Sequence, residues 1–181
     1  MLGTHIAVWG QSASGKTTFS ASLAARLGVP HVEMDALYWK PNWVEPPLDE
    51  FRAAIDSALA ANPGGWVMDG NYSRVQDLIL PRAETIIWLR PPFWRVFWQV
   101  LRRTIGRCRS GELFWGINRE TWHQALFSRN SMIWYVLRTW RRYPRQRLEL
   151  LAAVPHQAPV IVLRSRRDVR RFLEETEAAR G

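Results

Sequence analysis

Gly10-Gln11-Ser12-Ala13-Ser14-Gly15-Lys16-Thr17 sets two glycines five positions apart and follows the second with a lysine and a hydroxyl. That order, G-x-x-x-x-G-K-[ST], suits one task, the holding of a polyphosphate. Its glycines permit backbone conformations that turn successive N–H groups inward as an anion nest. A helix starting near Gly15 would add the positive end of its dipole. Lys16 would then reach the β- and γ-phosphates, the Thr17 hydroxyl would ligate Mg²⁺, and Thr18 would hold the α-phosphate. The phosphate-contacting candidates are Gly10, Ser12, Ala13, Ser14, Gly15, Lys16, Thr17 and Thr18, with ATP and Mg²⁺ as the expected ligands. The bland alternative is an incidental glycine turn between a strand and a helix.

Two carboxylates end apolar runs: Asp35 follows His31–Met34, and Asp69 follows Trp66–Met68. In a parallel sheet the carboxyl ends of strands line the ligand crevice. Asp69 is therefore expected to accept a hydrogen bond from a Mg²⁺-bound water. Asp35 is expected to orient an acceptor hydroxyl or take its proton. For each, the plainer possibility is a cap on the following turn.

The third group is basic. Residues 90–147 carry 13 arginines against Glu112 and Glu120, in a chain of net charge +9 whose only lysines are Lys16 and Lys40. Phosphoryl transfer builds negative charge on the equatorial oxygens, and arginines closing over it would stabilise that charge. Arg103 and Arg107, four apart on one helical face, are candidates for that role. Most of the other arginines are expected to be solvated. The tryptophans from Trp88 to Trp140 are expected to be mostly core, Trp94 with Trp98 for example, with Trp39 or Trp43 free to stack on a base. Arginines interleaved with aromatics also suit a single-stranded nucleic acid.

What must position these residues is legible in outline. Five apolar runs read as strands covered on both faces: Thr4–Trp9, His31–Met34, Trp66–Met68, Thr85–Leu89 and Val160–Leu163. Helical faces lie between them: Phe19, Leu23 and Leu27; Leu48, Phe51, Ile55 and Leu59; Phe93, Val96, Phe97, Val100, Leu101 and Ile105. Val169, Phe172 and Leu173 follow the last run. Alternating strands and helices imply an α/β fold with a parallel sheet and right-handed crossovers. The long fourth crossover is expected to hold a helical insertion. A chain of 181 residues with 47% hydrophobic content needs no staple, and its single Cys108 excludes an internal disulfide framework. No apolar run is long enough to span a membrane, and His5, His31, His123 and His156 lack ligand spacing. With no signal peptide in evidence, a cytoplasmic location is expected.

Taken with Asp35-Ala-Leu-Tyr-Trp, Trp66-Val-Met-Asp69-Gly-Asn-Tyr72 and Leu163-Arg-Ser, the glycine loop resembles the nucleoside-monophosphate-kinase branch of the P-loop proteins. More closely, the chain resembles the small adenylate-kinase-related proteins often labelled DNA topology modulation proteins. The resemblance implies a three-layer α/β/α P-loop NTPase fold, with a five-stranded parallel sheet in order 2-3-1-4-5 and an arginine-rich helical lid. It implies an acceptor-binding segment at 36–65 and a lid at 102–147 within one domain spanning 1–181. Arg103 and Arg107 match the arginines leading into the lid of adenylate kinases, while Arg138, Arg141 or Arg142 match those on its far side. Arg74 stands one place beyond the arginine of the kinases' Asp-Gly-Phe-Pro-Arg segment, and joins Asp35, Arg138 and Arg142 as substrate candidates. The expected activity is transfer of the γ-phosphoryl group of ATP to a nucleoside monophosphate or another small acceptor. The competing reading is a nucleic-acid-associated ATPase or switch using the basic 90–147 surface. No membrane partner is expected, and the protein should be a monomer or weak dimer.

Overall fold

The computed structural model of the chain describes residues 2–110, 113–114, 118–119 and 132–178. The side chains of residues 103, 107–110, 113–114, 118–119, 132–133 and 135 fall outside that description. The central sheet contains β1 (His5–Gly10), β2 (His31–Glu33), β3 (Trp66–Asp69) and β4 (Thr85–Leu89). A two-stranded antiparallel ribbon, β5 (Leu113–Phe114) with β6 (Asn118–Arg119), interrupts before the fifth sheet strand, β7 (Val160–Leu163). All pairings in the sheet are parallel, in the order β2-β3-β1-β4-β7, which is the expected 2-3-1-4-5.

The chain between strands is helical: α1 (Lys16–Leu27), α2 (Met34–Tyr38), α3 (Leu48–Ala60), α4 (Gln76–Ile79), α5 (Phe93–Ser110), α6 (Met132–Thr139), α7 (Tyr143–Ala153) and α8 (Arg166–Ala178). Alternation along β1 divides the core. Ile6 and Val8 face Phe19, Leu23 and Leu27 of α1, while Ala7 and Trp9 face Phe51 and Ile55 of α3. Both sets are buried, and each large side chain removed from water contributes about 1.5–3 kcal/mol. α8 joins the α1 face through Phe172, whose ring centroid lies 6.1 Å from that of Phe19. α7 lies on the other face, where Tyr143 is buried. Gly28 ends α1 in the left-handed region (φ 64°), and the Val29 N–H donates to the Ala24 carbonyl at 3.1 Å. A side chain there would meet its own backbone, so glycine is the apt stop.

The insertion is helical in its described arms and also contains the ribbon, which the helical reading of this segment did not include. β6 runs beside the 41–43 turn. α5 packs on α6 through a small third core of Ala13, Val96, Val100 and Val136. The expectation that Trp94 and Trp98 are core residues fails: they are 68% and 58% exposed. Helical spacing put them on one face, but that face lies away from the one formed by Val96, Val100 and Thr104, all of them buried.

Candidate functional site

β1 delivers the chain to Gly10, and α1 starts six residues later. The turn between them is tight. The Ser14 N–H donates to the Gln11 carbonyl at 2.9 Å, with Ala13 at φ 58° and Gly15 at φ 88°. Ala13 is an L-residue in the left-handed region, which is sterically costly. Its burial against Val96, Val100 and Val136 holds it there. A Cβ on Gly10 would run into the Ser14 Oγ and crowd Leu89, so any side chain at the first glycine would force the loop or Ser14 to shift. α1 opens with no side-chain cap and no acidic residue in its first turn. Its first N–H groups therefore lack intrahelical partners at the positive end of the helix dipole. The Ser14 Oγ is buried without a hydrogen-bond partner among the described residues. Lys16 and Thr17 are half-buried, Thr18 is exposed, and Lys16 makes no ion pair with any described residue. The loop is thus a concave set of donors with one amine and little negative charge to cancel them.

Both carboxylates belong to the β3–β2 side of β1, Asp69 on the neighbouring strand and Asp35 after the strand beyond it. Asp69 ends β3 opposite Val8 of β1 and is 1% exposed. Its Oδ2 lies 2.7 Å from the His31 Nε2 of β2, and its Oδ1 is buried without a partner among the described residues. Asp35, in the first turn of α2, accepts a hydrogen bond of 2.7 Å from the Tyr72 hydroxyl. Burial above all, and then the Asp35 charge, pushes the Tyr72 phenol well above its ordinary value, so it remains a donor. Beside Asp35 lies an aromatic cluster in which the Tyr38 ring stands 4.4 Å from Tyr72, 4.9 Å from Phe51 and 5.0 Å from Trp39. Trp39 and Trp43 make an edge contact at 5.5 Å, and Lys40 is held by Glu50 at 2.7 Å. Arg74 is exposed, its carbonyl accepting from Arg52, which also pairs with Asp77.

Of the basic candidates, Arg138 and Arg142 flank the turn between α6 and α7 and are exposed, like Arg141. Arg103 and Arg107 belong to α5, but their side chains lie outside the described residues. Sequence reasoning passed over the buried Arg147 of α7, whose guanidinium lies 5.3 Å from the ring centroids of both Trp9 and Tyr143.

A cavity of about 240 Å³ opens beside the loop. It is lined by Ser14, Gly15 and Thr18 of the loop and α1 and by Arg164, Ser165 and Arg166 of the segment after β7. Arg95 and Gln99 reach it from α5. The 164–166 wall is shaped by Asp168, which accepts the N–H groups of Arg164 (2.8 Å) and Ser165 (2.9 Å) and the Ser165 hydroxyl (2.8 Å). The Ser165 Oγ in turn accepts the Asp168 N–H at 3.1 Å, a reciprocal cap on the start of α8. Those bonds, the Ser165 hydroxyl first and the Arg164 amide next, hold the Asp168 carboxyl below the usual carboxylate range. A depressed folded value means the cap contributes above the unfolded pKa and is lost as pH falls through the folded one. Asp168→Ala is expected to loosen this wall and lower the melting temperature at neutral pH, as loss of a helix cap does. Wild type should converge on the variant only as pH falls below the usual aspartate range, which thermal melts across acid pH would read.

Sequence reasoning also missed Asn71. Its Nδ2 donates to the Gly10 carbonyl at 2.6 Å, and its Oδ1 accepts the Gly10 N–H at 3.3 Å and the Tyr143 hydroxyl at 2.7 Å. His31, set aside for lack of ligand spacing, proves to be the partner of Asp69. The Ser165-x-x-Asp168 spacing was a readable signal of the cap. The contacts of Asn71 and His31 span 61 and 38 residues of chain and had no local signal.

A 2-3-1-4-5 parallel sheet flanked by helices, with a glycine loop between its first strand and helix, is the P-loop kinase fold. No family model and no curated protein matches the chain. Solved structures do. A candidate kinase from Chloroflexus aurantiacus aligns at a TM-score of 0.57 and 18% identity, covering 98% of each chain. A shikimate kinase from Acinetobacter baumannii in complex with shikimate aligns at 0.53 and 14%, covering 94% of this chain and 88% of that one. A gluconokinase from Sinorhizobium meliloti aligns at 0.51 and 18%, covering 98% and 92%. At such identities the likeness establishes the fold. Among the described residues, no helix is long and apolar enough to cross a membrane.

Proposed function

We propose that the protein is a Mg-ATP-dependent phosphotransferase acting on a small acceptor. The observation that carries this reading is the donor-rich, uncapped loop at residues 10–18, with a Lys16 that pairs with no described residue and a cavity beside it. The base and sugar would lie in the cavity between Thr18 and the 164–166 wall, and the phosphates would run across the loop amides. Lys16 would bridge the β- and γ-phosphates, with Thr17 and Asp69 holding Mg²⁺ directly and through water. The buried, unpartnered Asp69 Oδ1 supports that fit, because a metal-bound water would satisfy it. Mg²⁺ would supply charge neutralisation between the β- and γ-phosphates.

Asp35, held by Tyr72, would orient the acceptor among Tyr38, Trp39 and Trp43, with Arg74 at the rim. The cations on this side are largely committed: Lys40 to Glu50 and Arg52 to Asp77. That favours an acceptor presenting a hydroxyl over one presenting a phosphate. Arg103, Arg107, Arg138 and Arg142 are proposed to gather round the transferred group. A second reading, an ATPase or switch that contacts nucleic acid, is favoured by one observation. Trp94 and Trp98 stand exposed within the basic 90–147 stretch, where bases could stack.

One screen separates the two. At fixed Mg-ATP, ADP release is followed over background hydrolysis with polyols, hydroxy acids, nucleosides, nucleoside monophosphates and a single-stranded oligonucleotide. Stimulation by a small hydroxyl compound supports the kinase reading. Stimulation by the oligonucleotide alone supports the second, and no stimulation by any of them counts against the kinase.

A further inference from the structure

The first two residues of the loop are each tied to one end of the turn between α6 and α7. The Gln11 Nε2 donates to the Thr139 Oγ1 at 3.3 Å, and Gln11 is 5% exposed. Asn71 grips both backbone groups of Gly10 and accepts the hydroxyl of Tyr143, itself 6% exposed. Between the two pins lie Trp140, Arg141 and Arg142, and Arg138 immediately precedes them. None of these three arginines makes an ion pair with a described residue. The loop backbone on the same side is held by Ala13 against Val96, Val100 and Val136 of α5 and α6.

We infer that Gln11, Asn71 and Tyr143 are positioning residues that fix the Arg138–Arg142 stretch relative to the terminal phosphate of a bound nucleotide. The inference rests on the nucleotide reading above. With the base in the cavity by Thr18 and Ser22, the phosphate chain runs away from the 164–166 wall. Its distal end then comes to the Gly10–Gln11 side, where the pinned turn stands. Asn71 acts there as an added backbone unit, giving Gly10 one donor and one acceptor while its second acceptor site takes the α7 hydroxyl. A long arginine on an anchored turn searches fewer positions than one on a swinging arm. Displacement by about 1 Å near a transferring group can cost about 100-fold in rate. The pins thus make the return arm of the insertion a fixed reference.

The test compares nucleotide affinities. Titration calorimetry measures Mg-ADP and a non-hydrolysable ATP analogue on wild type, Tyr143→Phe, Gln11→Ala and Arg142→Ala, each checked by thermal melting. Tyr143→Phe loses one hydroxyl and keeps its ring near Trp88 and Arg147. Wild type is expected to bind the triphosphate about tenfold more tightly than ADP, through charge-assisted contacts to the added phosphate. Tyr143→Phe should bring that ratio towards one while ADP affinity stays within about twofold, and Gln11→Ala should lower the ratio likewise. Adding Tyr143→Phe to Arg142→Ala should lower the ratio no further, since the two act through one contact. An unchanged ratio in the pin variants overturns the inference. So does an equal loss for both nucleotides with a lowered melting point, which is the signature of a merely structural role. Wild type that binds neither nucleotide removes the nucleotide reading itself, and the inference with it.

Discussion

Lys16→Ala is expected to lower ADP release from Mg-ATP by at least about 1000-fold while the protein melts at the wild-type temperature. Lys16 is half-buried at the first position of α1 and makes no ion pair with any described residue, so its removal leaves no opposite charge unpaired. Alanine also suits a helix start. The cost is confined to bound polyphosphate, which would lose the one cation carried by the loop itself. Part of the loss should appear as weaker ATP binding, about tenfold to 100-fold for one charge-assisted contact. The remainder should appear in turnover, because charge on the transferring group grows towards the transition state. A steady-state ADP assay beside a circular-dichroism melt reads both. Wild-type turnover in the variant would remove Lys16 from the reaction.

Asp69→Asn should lower turnover by about 10- to 100-fold, the usual effect of losing an outer-sphere carboxylate at a metal site. The asparagine carbonyl can still accept from His31, so the β2–β3 contact at 2.7 Å can survive the exchange. What is lost is the negative charge and one acceptor beside the loop. The variant should need more Mg²⁺ for half-maximal rate, and a Mg²⁺ titration of ADP release separates that shift from a general loss of fold. An unchanged Mg²⁺ requirement would leave Asp69 with only its structural bond to His31.

The parts of the fold that were legible share a cause. Thr85–Leu89 is a near-continuous apolar run because both faces of an inner parallel strand are covered. Val160–Leu163, though it lies at the sheet edge and is only partly buried, keeps the same apolar, β-branched signal, and both form strands with the expected bounds. The loop was legible because its constraints are local: close approach at Gly10, left-handed backbone at Gly15 and an amine beside them. On the other side Asp35, Trp39, Trp43 and Arg74 were nameable from the sequence, but the aromatic cluster was not, since its members come from α2, the 41–43 turn, α3 and the segment after β3. Trp94 and Trp98 misled because periodicity gives a shared face without saying whether anything covers it. Asn71 read as part of a loop. Its grip on Gly10 and Tyr143 exists only once three distant segments have met at the end of β1.

The ion pair between Lys40 and Glu50 has a practical bearing on chemical labelling. The chain contains just two lysines, and this contact engages one of them at 2.7 Å. Acylating reagents applied at mildly alkaline pH therefore find few targets, with Lys16 the side-chain amine least encumbered by a counter-ion. Mass-spectrometric readout of its modification would report occupancy of the glycine turn directly, with little background to subtract.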